Sequence, residues 1–149
     1  MGKFTSYKIL PEQKLIICNY QGGITIKDVI QLTQIFIADK DFNPAYNVFI
    51  DFRNSTAIGF GLDVADYISF FKKSVTVIGK VQVGILYSTP NQEYLLKIYK
   101  GLGKLINLDV ENFRSIDPCL EWMHFLGDQK ELVISELNFI KSTSEDFLF

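Results

Sequence analysis

Residues 47–53, Asn47-Val48-Phe49-Ile50-Asp51-Phe52-Arg53, decide the fold. A short apolar run without polar alternation is what a strand covered on both faces requires. Asp51 falls near the C-terminal end of that strand. Upstream, Ile26, Val29, Ile30, Ile37 and one or both of Ile35 and Phe36 form a broad apolar stripe, which predicts a helix over 26–38 with one side on a sheet. Thr25, with Asp28 three residues later, supplies its N-cap and acidic first turn, and 39–46, with Asn43-Pro44, is its exit loop. Further back, Phe4–Leu10 and Lys14–Tyr20 flank the polar break Pro11-Glu12-Gln13 and predict an antiparallel hairpin. Gln21-Gly22-Gly23 ends it.

Downstream of the decisive strand, 53–61 reads as an irregular loop. Val64, Ala65, Ile68 and Phe71 then fall at helical spacing, closed by Lys72-Lys73 and Gly79. Val81–Tyr87 is a further buried strand. Thr89-Pro90-Asn91-Gln92 places Thr at the N-cap, Pro at N1 and Gln at N3 of the next helix. Val110–Ile116 is the last strand, and Asp117-Pro118 opens a helix bearing Leu120, Trp122, Met123, Phe125 and Leu126, ended by Gly127. In the tail, Val133, Leu137 and Ile140 recur at helical spacing before a polar stretch and Phe147-Leu148-Phe149.

Strand-helix-strand crossovers of this length join parallel neighbours. The expected fold is therefore α/β: a mixed, mainly parallel five-stranded sheet with an N-terminal antiparallel hairpin, flanked by four helices, plus a C-terminal helix. With 149 residues and about 150 residues per domain, one domain is expected, with residues 1–127 as its body and 128–149 as a helical extension. The stripe of Val133, Leu137 and Ile140 suits either packing on that body or a homodimer contact.

Fifteen Lys and Arg against seventeen Asp and Glu leave a net charge of −2, with 48% apolar and 21% charged residues. That balance supports a packed core and supplies no basic field for a nucleic-acid backbone. Residues 1–10 lack the apolar core of a signal peptide, and no run approaches the roughly 18 apolar residues of a membrane span. A cytoplasmic location is expected, with Cys18 and Cys119 as reduced core residues. The myristoylation-like Met1-Gly2 with Ser6 and the glycosylation triplet Asn54-Ser55-Thr56 are set aside, because the first abuts a strand and the second needs secretion.

No catalytic constellation emerges. His124 is the one histidine and reads as a structural or surface residue; no Gly-x-Ser-x-Gly turn offers a nucleophile, and one His without an H-E-x-x-H pattern does not supply the usual metal ligands. No cofactor is expected. Gly59-Phe60-Gly61 resembles part of a phosphate loop, but the third glycine of the dinucleotide pattern would fall at Val64. What remains is position. In open α/β sheets, ligands and partners meet the loops beyond the C-terminal ends of parallel strands. Here these are Gly22-Gly23, 53–61 and 88–91, each leading into a helix N-terminus. The candidate binding residues are Arg53, Asn54, Ser55, Thr56, Gly59 and Gly61, with Tyr67 and Phe70 on the following helix. Aromatic density on the helices opens an alternative, a carrier of an apolar or acyl small ligand between helices and sheet; a thick core explains the same residues.

The order of elements, with four phrases, resembles the STAS and STAS-like group, named for sulfate transporters and anti-sigma-factor antagonists. The phrases are Tyr20-Gln21-Gly22-Gly23, the helix start Ile24-Thr25-Ile26-Lys27-Asp28-Val29, the strand end Ile50-Asp51-Phe52-Arg53, and Phe113-Arg114-Ser115-Ile116-Asp117-Pro118-Cys119-Leu120-Glu121-Trp122. The resemblance covers residues 4 to about 126. It implies a small non-enzymatic module that binds a protein partner or small ligand. The regulatory antagonists carry a phosphorylatable serine at the start of the helix after the Asp-ended strand. The corresponding stretch here, Ala57-Ile58-Gly59-Phe60-Gly61, has no Ser or Thr, although Ser55 and Thr56 lie nearby.

Overall fold

The computed structural model describes residues 2–74 and 80–146. Its sheet contains β1 (Phe4–Leu10), β2 (Leu15–Ile24), β3 (Asn47–Ala57), β4 (Val81–Leu86) and β5 (Leu108–Phe113), in the spatial order of the chain. β1 and β2 are antiparallel around a 3-10 turn at Pro11–Gln13, and the β2–β3, β3–β4 and β4–β5 pairs are parallel. The helices are α1 (Ile26–Ile37), α2 (Phe60–Ser74), α3 (Pro90–Leu105), α4 (Ile116–Trp122) and α5 (Asp128–Asp146). The mixed, mainly parallel five-stranded sheet, its N-terminal hairpin, its flanking helices and the added C-terminal helix match the expected architecture.

Strand alternation divides the core into two layers. On one face Ile16, Cys18, Tyr20, Ile50, Val83 and Ile85 pack under α1, α2 and α3. On the other, Leu15, Ile17, Phe49 and Leu86 pack under α4 and α5. The stripe of Val133, Leu137 and Ile140 lies against this second face and is buried, so it is not an exposed dimer contact. Phe147-Leu148-Phe149 lies outside the described residues. Both cysteines are buried and unbridged, and burial pushes each thiol up to about 12, helped at Cys119 by Asp51.

Beyond shifts of one or two residues at the ends of α1, α2 and β4, three boundaries differ from the sequence reading. First, Gly22-Gly23 and 53–57 are not loops but the paired ends of β2 and β3, with Gly22 opposite Ser55, Gly23 opposite Thr56 and Ile24 opposite Ala57. Backbone pairing between two polar or glycine-rich segments overrides their loop-like composition. Second, β5 runs 108–113 rather than 110–116. Third, α4 stops at Trp122, not Gly127. His124 takes a left-handed conformation at φ 69°. Its N–H donates to the Glu121 carbonyl at 3.0 Å, and the Phe125 N–H donates to that of Leu120 at 2.8 Å. This paired closure usually places glycine where His124 stands. The lone histidine thus shapes a turn, exposed to solvent.

Gly84 sets how closely α4 approaches. A β-carbon there would lie 2.7 Å from the Cys119 sulfur and 3.0 Å from that of Met123, so glycine lets the helix rest on the backbone of a central strand.

Candidate interaction site

The loops at the C-terminal ends of β2, β3 and β4 lie along one edge of the sheet, and α1, α2 and α3 begin there. α1 and α3 are closed by their own residues. Thr25 Oγ1 accepts from the Asp28 N–H at 3.3 Å, while the Asp28 carboxylate accepts from the Thr25 N–H at 2.9 Å. Thr89 and Gln92 form the same reciprocal cap on α3. A capping carboxylate already occupies the positive end of α1. Burial raises the Asp28 carboxyl, but hydrogen bonds from the Thr25 backbone, Lys3 and the Thr25 hydroxyl outweigh it and hold the group below the usual range.

Between these caps β3 is irregular. The parallel ladder pairs Asn19 with Asp51 and then Gln21 with Asn54, so β3 carries an extra residue at 52–53. Such a bulge frees carbonyls that need other donors. Gln92, buried, donates through Nε2 to the Phe52 carbonyl at 3.1 Å and to that of Ser55, while its Oε1 accepts from the Ser88 N–H at 2.9 Å. Ser88 Oγ donates to the Arg53 carbonyl at 2.8 Å, and Ser55 Oγ to that of Phe52 at 2.7 Å. The bulge and the β4–α3 loop are thereby one hydrogen-bonded unit.

Asp51 faces the α5 side at 1% exposure. Arg53 grips it with Nε to Oδ1 and Nη2 to Oδ2, both 3.0 Å, and its backbone N–H donates at 3.0 Å. Lys141, on α5, reaches Oδ2 at 2.9 Å. Burial raises the Asp51 carboxyl, but these bonds outweigh it and leave the group below the ordinary carboxylate range. A buried carboxylate held by two cations is stable where an isolated one is not.

The residues singled out in the sequence therefore separate. Asn54 and Thr56 are exposed beside the bulge, Gly59 is exposed at φ 66°, and Gly61 lies in the first turn of α2. Phe70 is half-buried on α2. Arg53 is half-buried and directs its fork at Asp51, Ser55 is buried, and Tyr67 is in the core under α2. Ser55 and Tyr67 belong to the scaffold, while Arg53, its side chain 31% exposed, braces Asp51 from the edge of the surface. Ile58, not singled out, is 51% exposed between Thr56 and Gly59. Its Cδ1 would lie 2.6 Å from a β-carbon on Gly23, so the glycine makes room for it. The signal for Ile58 was its place as an apolar residue inside a polar stretch.

Neither a family model nor a curated protein matches this sequence. Several solved structures share its shape, among them these two. One is an uncharacterized protein of the DUF3478 family with a SpoIIAA-like fold from Shewanella loihica PV-4, with TM-score 0.52 and 14% identity over 81% of this chain and 93% of that one. The chain has a STAS-like fold. The other is an anti-sigma factor antagonist from Mycobacterium paratuberculosis, with TM-score 0.52 and 17% identity over 83% of this chain and 95% of that one. At these identities the STAS-like likeness concerns the fold. Among the described residues no group of three His, Cys, Asp or Glu side chains is placed to hold a metal ion, and no helix is long and apolar enough to cross a membrane.

Proposed function

We infer that the chain is a non-enzymatic, cytoplasmic regulatory module that binds a protein partner at the end of β3, through Asn54, Thr56, Ile58 and Gly59, with Phe70 at the border. The observation that carries this reading is the anchored bulge. Exposed side chains stand on a backbone whose carbonyls are tied to Gln92, Ser88 and Ser55, and a pre-ordered surface loses less entropy on binding. The STAS-like fold supports it, since one neighbour is an anti-sigma factor antagonist. Arg53, Ser55 and Tyr67 enter as supports of that surface.

Ile58 provides the test because its side chain is half in solvent. Affinity capture with wild type, Ile58→Asp and the remote exposed control Leu126→Asp is expected to lose a partner with the Ile58 variant alone. An unchanged partner set across all three proteins refutes the assignment.

A further inference from the structure

We propose that the space between the sheet and α2 is a binding site for the end of a single aliphatic chain. A cavity of about 60 Å³ lies there, lined by Cys18, Ile50 and Val83 from the sheet, Val29 from α1, and Tyr67 and Phe71 from α2. Helix α2 packs chiefly with its neighbours α1 and α3 and projects these two rings toward the sheet. Half-buried Phe42, Pro44 and Tyr46, which also line the space, mark its solvent side at the start of β3. The cavity therefore opens away from the Asn54–Gly59 surface, and the proposal stands independently of the partner reading.

The lining determines the ligand class. Thr33 is a polar residue in the wall, and its hydroxyl donates to the Val29 carbonyl at 2.8 Å within α1. The Cys18 thiol is uncharged. An apolar cavity gives water few partners and favours hydrocarbon. Size narrows the class further. About 15 Å³ per water-sized group gives room for about four such groups, against about 150 Å³ for a cavity that holds benzene and upwards of about 300 Å³ for whole small-molecule sites. A methylene chain end enters; a ring requires Tyr67 or Phe71 to move.

Straight-chain alcohols from 1-propanol to 1-octanol, titrated while methyl resonances are followed by NMR, test the site. Saturable shifts are expected at Ile16, Ile50 and Val83, with the dissociation constant falling about fourfold per methylene until about four carbons are buried and then levelling. Phe71→Ala, at a half-buried position, lengthens the series before levelling, and Val83→Phe abolishes saturation. Shifts confined to the exposed Leu105 and Leu126, a series that never levels, tighter binding of benzene than of 1-butanol, or a levelling point unmoved in Phe71→Ala each overturn the proposal. The Phe71→Ala series decides even where Val83→Phe fails to fold.

Discussion

The two faces of the sheet solve the same burial problem in opposite ways. Under α4 and α5 the packing is close: Gly84 admits the sulfurs of Cys119 and Met123, Phe49 is fully enclosed, and the buried carboxylate of Asp51 is held by Arg53 and Lys141. Under α1, α2 and α3 the layer is apolar and rich in aromatic rings, with Tyr20 stacked on Phe52 at 4.7 Å, and it retains a cavity. Dense packing leaves a truncated side chain a hole that neighbours cannot refill. A layer that already contains space tolerates both loss and gain of volume.

The largest contrast is expected between two phenylalanines. Phe49→Ala removes an enclosed ring and costs about 4 kcal/mol, whereas Phe71→Ala, at the edge of the cavity, costs about 1 kcal/mol; urea unfolding of both proteins measures the gap, and equal losses would break the comparison. Next, Asp51→Ala leaves Arg53 and Lys141 facing a buried site without their anion and is expected to cost about 3 kcal/mol by the same method. The sign with pH follows from the lowered carboxyl. Its contribution is complete above the unfolded value of about 3.9 and disappears as pH falls through the lower folded value. Acid titration of wild type should therefore show a loss of stability below about pH 4 that is reduced in Asp51→Ala.

A smaller effect probes how closely α4 sits. Gly84→Ala adds one carbon against two sulfurs and is expected to cost about 2 kcal/mol, visible as a lowered melting temperature. Smallest are the caps: Thr25→Ala and Thr89→Ala each remove the hydroxyl that accepts from the N–H of Asp28 or Gln92 and leave the backbone half of the box in place, at about 1 kcal/mol apiece. Lys3 on Asp28 and the bonds of Gln92 to β3 remain in these variants, so both losses are expected to stay near that size.

Local signals made much of this architecture legible. The capping pairs Thr25/Asp28 and Thr89/Gln92 lie three residues apart, and β3 and β4 each contain a short, mainly apolar run, so each element declares itself within a short window. The site was less legible because its components are distant. Gly22-Gly23 and 53–57 form strand only by pairing with each other, and Asp51 meets Lys141 across 90 positions. An aspartate inside an apolar run does require a cation, but nothing local says which. Tyr67 was readable: it lies three residues after Val64 and four before Phe71, on the same helical stripe, which points inward. The end of α4 was obscured because Gly127 looks like a stop while His124 performs that role.

The order of strands across the sheet has a consequence for synthesis. Because each strand neighbours its predecessor in the chain, the sheet can extend by one edge at a time as residues leave the ribosome, and α1, α2 and α3 cover one face as it grows. The other face has no cover until α4 and α5 follow β5. Ser6 Oγ, on the first strand, donates to the Ile140 carbonyl across 134 positions. A nascent chain stalled after β5 would thus present a half-clothed sheet, with Leu15, Ile17 and Phe49 open to chaperones or to other nascent chains.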